Sequence, residues 1–216
     1  MNKKKAIDNF ALQRKRLVEQ LKAKGIIRSA EIEKAFLSVR RELFFPENIR
    51  EYAYIDSAFP LIKGATISQP TTIAIMLEML DPKPKQKILE IGAGSGYVLA
   101  LLSKIVGKNG KVFGVEIIPE LVDIAKENLK KEKITNVEVV YGNGREGLAE
   151  KAPFDRILIS AACSDVPKRL FEQLKENGKL VAPVGIGTQA LELWQKKDGK
   201  INLTERRYGF VFVPLK

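Results

Sequence analysis

The chain has 216 residues, 45% of them hydrophobic, which fits one domain with a buried core and excludes a disordered protein. Its single cysteine, Cys163, excludes an internal disulfide and a cysteine-cluster metal site, and the lack of histidine removes His-based triads, His general bases and nearly every zinc-enzyme design. Lys and Arg total 37 against 26 Asp and Glu, a net charge of +11, but the lysines are scattered without an RNA-binding signature and read as a solvated coat.

The start, Met1-Asn2-Lys3-Lys4-Lys5, is basic and lacks the apolar core of a signal peptide. No stretch approaches the ~20 apolar residues of a membrane span, so a cytoplasmic protein without a membrane partner is expected. Ile7, Phe10, Ala11, Leu17, Val18 and Leu21 recur at helical spacing, with Gly25 as the stop. Ser29 reads as the cap of a second helix that turns Ile32, Ala35, Phe36 and Val39 inward. Residues 40–70 read as loop, punctuated by Pro46, Pro60, Gly64 and Pro70, and a helix is predicted over 73–80.

From Lys87 onward strands and helices alternate. Strands are predicted over 87–90, 111–116, 137–141, 156–160 and 179–183, with helices over 98–105, 120–131 and 167–175 between them. Such alternation specifies an α/β fold with a doubly wound, mostly parallel sheet and a ligand at the carboxyl ends of its strands. After Gly185 the pattern becomes Leu191-Glu192-Leu193-Trp194 and Ile201-Asn202-Leu203 around Asp198-Gly199, an antiparallel C-terminal hairpin. No repeat or second core is visible. The chain therefore reads as a single domain over 1–216, with 1–80 an N-terminal helical cap and substrate-side loop and 81–216 the cofactor-binding core.

Glu90-Ile91-Gly92-Ala93-Gly94-Ser95-Gly96-Tyr97 joins the first sheet strand to a helix. The backbone N–H groups around Gly92, Gly94, Ser95 and Gly96, with the helix start behind them, suit an anionic or polar ligand. Glu90 precedes the turn, and Glu116 closes the next strand, where an acid can accept both hydroxyls of a ribose. Tyr97 stands where a dinucleotide fingerprint needs its third glycine, which argues against a nicotinamide oxidoreductase. The acid-x-Gly-x-Gly-x-Gly turn with its second acid resembles the S-adenosyl-L-methionine site of Rossmann-like methyltransferases.

From about Val39 onward the chain resembles the protein-L-isoaspartate O-methyltransferase family. The residues that carry this are Val39-Arg40-Arg41-Glu42-Leu43-Phe44-Phe45-Pro46, Ala53-Tyr54-Ile55-Asp56, Thr66-Ile67-Ser68-Gln69-Pro70, Ala152-Pro153-Phe154-Asp155, Pro183-Val184-Gly185 and Phe212-Val213-Pro214-Leu215. The resemblance implies methylation of the free α-carboxylate of isoaspartyl residues in damaged proteins and peptides, with S-adenosyl-L-methionine as cofactor and S-adenosyl-L-homocysteine as product. It implies Ser68 as the active-site serine, with Thr66 a second hydroxyl donor, Ile67 and Val213 at the substrate, and Asn143 and Gly144 at the adenine. Asn143 replaces the family's usual aspartate but keeps an acceptor oxygen. Ala65, Ile62 and Thr71 also depart from the family pattern.

Several of these residues carry a plainer reading. Ser68 also suits a cap for the helix near Pro70, Asn143 a left-handed turn residue, Asp155 a loop-ordering acid, Cys163 a small buried hydrophobe and Trp194 hairpin packing. Phe210 to Leu215 reads as an apolar segment whose free backbone groups pair with an extended substrate. Two other functions stay open at this level: an RNA (tRNA) methyltransferase, for which no Asn-Pro-Pro-Tyr-like or cysteine-based element is found, and a cofactor-binding homologue without activity. A monomer that does not bind nucleic acid is expected.

Overall fold

Helix α1 (Lys3–Ala23) opens a computed structural model that describes residues 3–216, with side chains from Asn9 onward. Met1, Asn2 and the side chain of Ile7 lie outside the described residues. Leu17, Val18 and Leu21 are buried as their spacing predicts, Phe10 is half-buried, and Ala11 instead faces solvent. Gly25 adopts φ 66° and the Ile26 N–H returns to the Leu21 carbonyl at 2.9 Å, the left-handed stop that ends many helices. α2 (Ala30–Ser38) buries Ile32, Ala35 and Phe36. Ser29 holds the N-cap position of α2, yet its hydroxyl makes no cap bond. It donates to Glu78 at 2.8 Å, and that carboxylate also accepts from the N–H groups of Arg28 and Ser29.

Residues 40–70 are ordered rather than loop-like. They form three 3₁₀ turns (Arg41–Phe44, Glu47–Tyr52 and Ile62–Gly64) and a small antiparallel pair, β1 (Phe59–Pro60) with β2 (Thr66–Ile67). α3 (Pro70–Leu80) begins three residues before its predicted start, because Pro70 fits the first turn, where its missing N–H costs nothing.

The main sheet comprises β3 (Lys87–Ile91), β4 (Lys111–Glu116), β5 (Val137–Tyr141), β6 (Phe154–Ile159), β7 (Leu174–Val184), β8 (Gln189–Lys197) and β9 (Lys200–Phe210). Between its strands run α4 (Tyr97–Val106), α5 (Pro119–Lys131) and α6 (Lys168–Glu172). The strand order is β5-β4-β3-β6-β7-β8-β9, parallel from β5 to β7 and antiparallel thereafter. The order reverses direction at β3, so the loops after β3 and β6 diverge and leave a crevice. Asp198 (φ 52°) and Gly199 (φ 71°) make the two-residue turn between β8 and β9, and two positive φ values are what a tight hairpin turn of matching twist needs. α6 is shorter than predicted. Leu174 and Lys175 already belong to β7, where buried Leu174 pairs with buried Phe154.

Both faces of the sheet are covered. On β3, Ile88 packs into one cluster with Leu21, Phe36, Leu77 and Leu99, while Leu89 and Ile91 join a second with Phe113, Ile157 and Leu170. The N-terminal helices thus share their core with α3, α4 and one face of the sheet. Among the described residues, no helix is long and apolar enough to cross a membrane.

Candidate active site

Gly92, Gly94 and Gly96 all have positive φ (82°, 53° and 87°), which folds the β3–α4 turn sharply enough to aim backbone into the crevice. At Gly96 a Cβ would also meet Ala125 of α5 at 3.2 Å, so this glycine closes the packing of α5 behind the turn. Glu116, 5% exposed at the end of β4, holds the turn from the other side. Its carboxylate accepts from the N–H of Gly94 (2.8 Å), Ile117 (2.9 Å) and Ile118 (3.0 Å). A carboxylate offers about four acceptor positions. Glu116 therefore has room for one ribose hydroxyl as it stands, and a second requires an N–H to let go.

Glu90 is 1% exposed. Its Oε1 accepts from the Ser160 hydroxyl at 2.7 Å, while Oε2 is buried and has no partner. Burial pushes its carboxyl up to about 8 against the pull of the Ser160 hydroxyl, with the Glu116 charge adding to the rise. The N–H groups of Gly92, Ala93, Gly94 and Gly96 are spent on Val115, Glu116 and Ala93, which leaves the orphaned Glu90 oxygen at the turn for a cationic or hydrogen-bond-donating ligand group to satisfy.

A cleft of about 260 Å³ runs along the carboxyl ends of β3, β4 and β6, walled by Gly92, Gly94, Glu116, Gly144, Ser160 and Val213. A Cβ on Gly144 would strike Ile91 Cγ2 at 2.3 Å, so only glycine lets this wall sit against β3. Asn143 is exposed and outside the lining. Its φ of −78° overturns the left-handed turn reading, and its Oδ1 accepts from the Arg145 N–H at 2.9 Å, capping a short 3₁₀ turn. One acceptor position of that oxygen stays open.

Thr66 forms part of this wall, of a recess of about 40 Å³ beside Glu90 and Ser95, and of an open groove of about 450 Å³ on the outer side. Ser68 lines the recess and the groove, whose far bank is formed by residues 209–212. The structure thus brings Thr66 and Ser68 to the seam between a ligand cleft and a surface groove. Ser68 does not cap α3: the N-cap position is Gln69, and the helix start is held by Asp56, which accepts from the Thr71 N–H (2.9 Å) and hydroxyl (2.7 Å). The hydroxyl of Ser68 is left free of that duty. Ile67 is 4% exposed in the core, so any contact it makes with a substrate falls to its main chain.

The segment after β9 is less available than its sequence suggests. The Val213 carbonyl accepts from Ala162 N–H (2.8 Å), Leu215 N–H donates to the Ala162 carbonyl (2.7 Å), and Phe212 N–H donates to Gln189 (2.8 Å). These groups stitch the segment over the end of β6 instead of lying open. Asp155 accepts from the Lys87 N–H (2.8 Å) and pairs with Lys175, an ordering role. The thiol of Cys163 is buried, and burial pushes it up to about 11, which leaves it an inert hydrophobe. Trp194 packs on Phe171 of α6, with ring centroids 5.4 Å apart.

Sequence reading missed three residues that shape the site. Arg41 is fully buried behind Ser68, Asp56 anchors α3, and Ser160 holds Glu90. Arg41 and Asp56 left a trace, both standing in segments that carry the family resemblance, Arg41 as a charge set among Val39, Leu43, Phe44 and Phe45.

A family model described as protein-L-isoaspartate(D-aspartate) O-methyltransferase matches residues 12–216. The protein-L-isoaspartate O-methyltransferase of Methanopyrus kandleri is 48% identical over 210 residues, covering 95% of this chain and 92% of the relative. A solved Plasmodium falciparum structure, assigned as a protein-L-isoaspartate O-methyltransferase and bound to S-adenosyl-L-homocysteine, superposes with TM-score 0.84 at 32% identity, covering 94% and 98% of the two chains. A second solved protein-L-isoaspartate O-methyltransferase gives TM-score 0.82 at 33% identity over 93% of this chain, which spans 65% of that longer one.

Proposed function

The chain belongs to the protein-L-isoaspartate(D-aspartate) O-methyltransferase family, and from that premise we propose how its residues divide the work of methylating the free α-carboxylate of an isoaspartyl residue. It is an S-adenosyl-L-methionine-dependent carboxyl O-methyltransferase of protein repair. The resulting ester closes to a succinimide, which reopens in part to normal aspartate. The observation that carries the division of labour is the seam: Thr66 belongs to the cleft and the groove at once, with Ser68 beside it.

The cofactor, when bound, supplies a methyl group on a positively charged sulfur. The chain has the groups to hold it. Gly92 and Gly94 wall the cleft and Ser95 lines the recess beside it, while the N–H groups of Gly92, Gly94 and Gly96 are spent on Val115, Glu116 and Ala93. Glu116 receives a ribose hydroxyl, and Glu90 offers its unpaired oxygen to the ligand. Asn143 and Gly144 border the adenine end. An aspartate-like carboxylate with an ordinary pKa of about 3.9 is ionised at neutral pH, so no general base is needed and the absence of histidine is no handicap. What remains for the protein is alignment, which can supply several powers of ten in rate. Ser68 and Thr66 hold the substrate carboxylate by hydroxyl donation, and the groove toward 209–212 receives the peptide on either side of it.

We further propose a cytoplasmic monomer that acts on proteins and peptides and has no nucleic-acid substrate; the scattered lysines support the last point. The test is methyl transfer from labelled cofactor to matched peptides that differ only in an isoaspartyl or aspartyl linkage. Labelling of the isoaspartyl peptide alone is expected. Equal labelling of both, or labelling of tRNA with both peptides inert, overturns the reading.

A further inference from the structure

Arg41 is among the largest fully buried side chains of the protein, with no exposed surface. Its Nε donates to the Ala53 carbonyl and its Nη2 to the Ser68 carbonyl, both at 2.8 Å, while Nη1 has no partner. The guanidinium lies 4.6 Å from the centre of the Tyr97 ring and 5.1 Å from that of Phe45. Among the described residues, no carboxylate comes within ion-pair distance of it. Asp56 acts on it only weakly and from further away, its oxygens committed to Thr71. An arginine cannot shed its proton to escape burial. A full positive charge thus sits in the interior with two carbonyls and two aromatic faces, and without a counter-ion.

A buried unpaired charge costs several kcal/mol, and a hydrophobe of similar size would ordinarily be the more stable occupant. The position of Arg41 suggests what the cost serves. It spans Ser68 and Tyr97, the first residue of α4 directly after the glycine turn, and both line the recess beside Glu90. Tyr97, which breaks the dinucleotide fingerprint, has its reason here: its ring roofs the guanidinium.

We propose that Arg41 is the positioning residue of the reaction: it fixes the Ser68 main chain against the glycine turn and sets an uncompensated positive charge behind the place where the substrate carboxylate binds. This rests on the isoaspartyl reading above. Arg41 does not touch substrate. It orients Ser68 through its carbonyl, and the anion that balances its charge arrives with the peptide. Such an arrangement favours the anionic peptide without adding a cation to the groove, where it would compete as an ion-pair partner for any acid.

The test compares Arg41→Lys and Arg41→Met with the wild type. Lysine keeps the charge but not the two-carbonyl fork, and methionine keeps packing on Tyr97 and Phe45 but neither charge nor donors. Three quantities are measured: thermal unfolding, affinity for S-adenosyl-L-homocysteine by calorimetry, and affinity for an isoaspartyl peptide and its α-carboxamide twin in the presence of S-adenosyl-L-homocysteine. For Arg41→Met we expect product affinity within about twofold of wild type, carboxylate-peptide affinity reduced at least tenfold, and preference over the carboxamide largely lost. Arg41→Lys should recover much of that preference while kcat stays low, because the charge returns and the alignment of Ser68 does not. Should the methionine variant fail to fold, the lysine variant decides alone: restored preference with low kcat supports the proposal, and wild-type kcat overturns it. Parallel loss of product and peptide affinity with a fall in Tm would make Arg41 merely structural, which also overturns it. A wild type that leaves isoaspartyl peptide unlabelled would instead sink the functional reading itself.

Discussion

At the scale of single residues, two buried ionisable groups without a partner of opposite charge frame the site: Arg41, which stays charged, and Glu90, which burial holds protonated. Glu90 and Arg41 each leave one polar atom unsatisfied, and among the described residues only Arg50 Nε shares that condition. For Glu90 the consequence for stability has a definite sign. Burial, opposed by the Ser160 hydroxyl and reinforced by Glu116, raises its carboxyl from the ordinary 4.5 to about 8. Below pH 4.5 the group is protonated whether the chain is folded or not. Between 4.5 and 8 the unfolded chain releases the proton while the folded protein keeps it, so stability falls as pH rises, and above 8 the loss is complete and constant. Glu90→Gln removes this dependence and retains an acceptor for Ser160. Denaturant unfolding of the ligand-free proteins should show the variant gaining on the wild type from pH 5 to pH 8 by on the order of a few kcal/mol, then levelling off. A difference that does not vary with pH would mean that Glu90 stays ionised in the folded protein.

At the scale of elements, the sheet core could be read from sequence and the substrate-side segment could not. β3, β4 and β5 match their predicted spans within a residue, because short apolar runs between glycine and lysine turns have few other ways to be buried. The failures share a cause. The starts of α2 and α3 are held by Glu78 and Asp56, carboxylates supplied from other parts of the chain, so the local cap rule named the right place and the wrong bond at Ser29, and at Ser68 fell one residue short of the N-cap Gln69. Residues 40–70 hold their shape through Arg41, the Tyr54–Glu42 hydrogen bond and Asp56, none of which leaves a periodic signal. The role of Asp56 can be tested. Asp56→Ala removes the cap of α3 and should cost about 1 kcal/mol of stability. It leaves the Gln69 contact to the main-chain carbonyl of residue 56 in place, but it releases both Thr71 contacts and so loosens the start of α3 next to Ser68. The expected signature is a raised KM for isoaspartyl peptide with calorimetric affinity for S-adenosyl-L-homocysteine unchanged. If both affinities fall together, Asp56 supports the cleft and not the seam.

At the scale of the whole molecule, the cleft is assembled from segments far apart in the chain, which meet only because the strand order reverses at β3. The glycine turn, Glu116 and Gly144 come from one half of the sheet, Ser160 from the other, and Thr66 from the N-terminal cap. The last wall is the tail after β9. Read as sequence, Phe210 to Leu215 is a lip with free backbone for the peptide, and its loss should abolish peptide turnover alone. The folded arrangement divides that segment in two. Residues 209–212 border the outer groove, whereas Val213, Pro214, Leu215 and Lys216 line the inner cleft. Val213 and Leu215 are fastened to Ala162 at the end of β6, and the Leu215 carbonyl accepts from Arg145 at 3.1 Å. Removing 213–216 therefore opens the cleft to water from one side, and buried polar contacts weaken as water reaches them. A chain truncated after Phe212 should fold, since β9 and its pairing with β8 remain, but bind S-adenosyl-L-homocysteine at least tenfold more weakly by calorimetry. Peptide methylation at saturating cofactor should recover in part, because the groove bank at 209–212 survives. Undiminished cofactor affinity in the truncated protein would return the tail to the peptide side and contradict the wall that the Ala162 stitch builds.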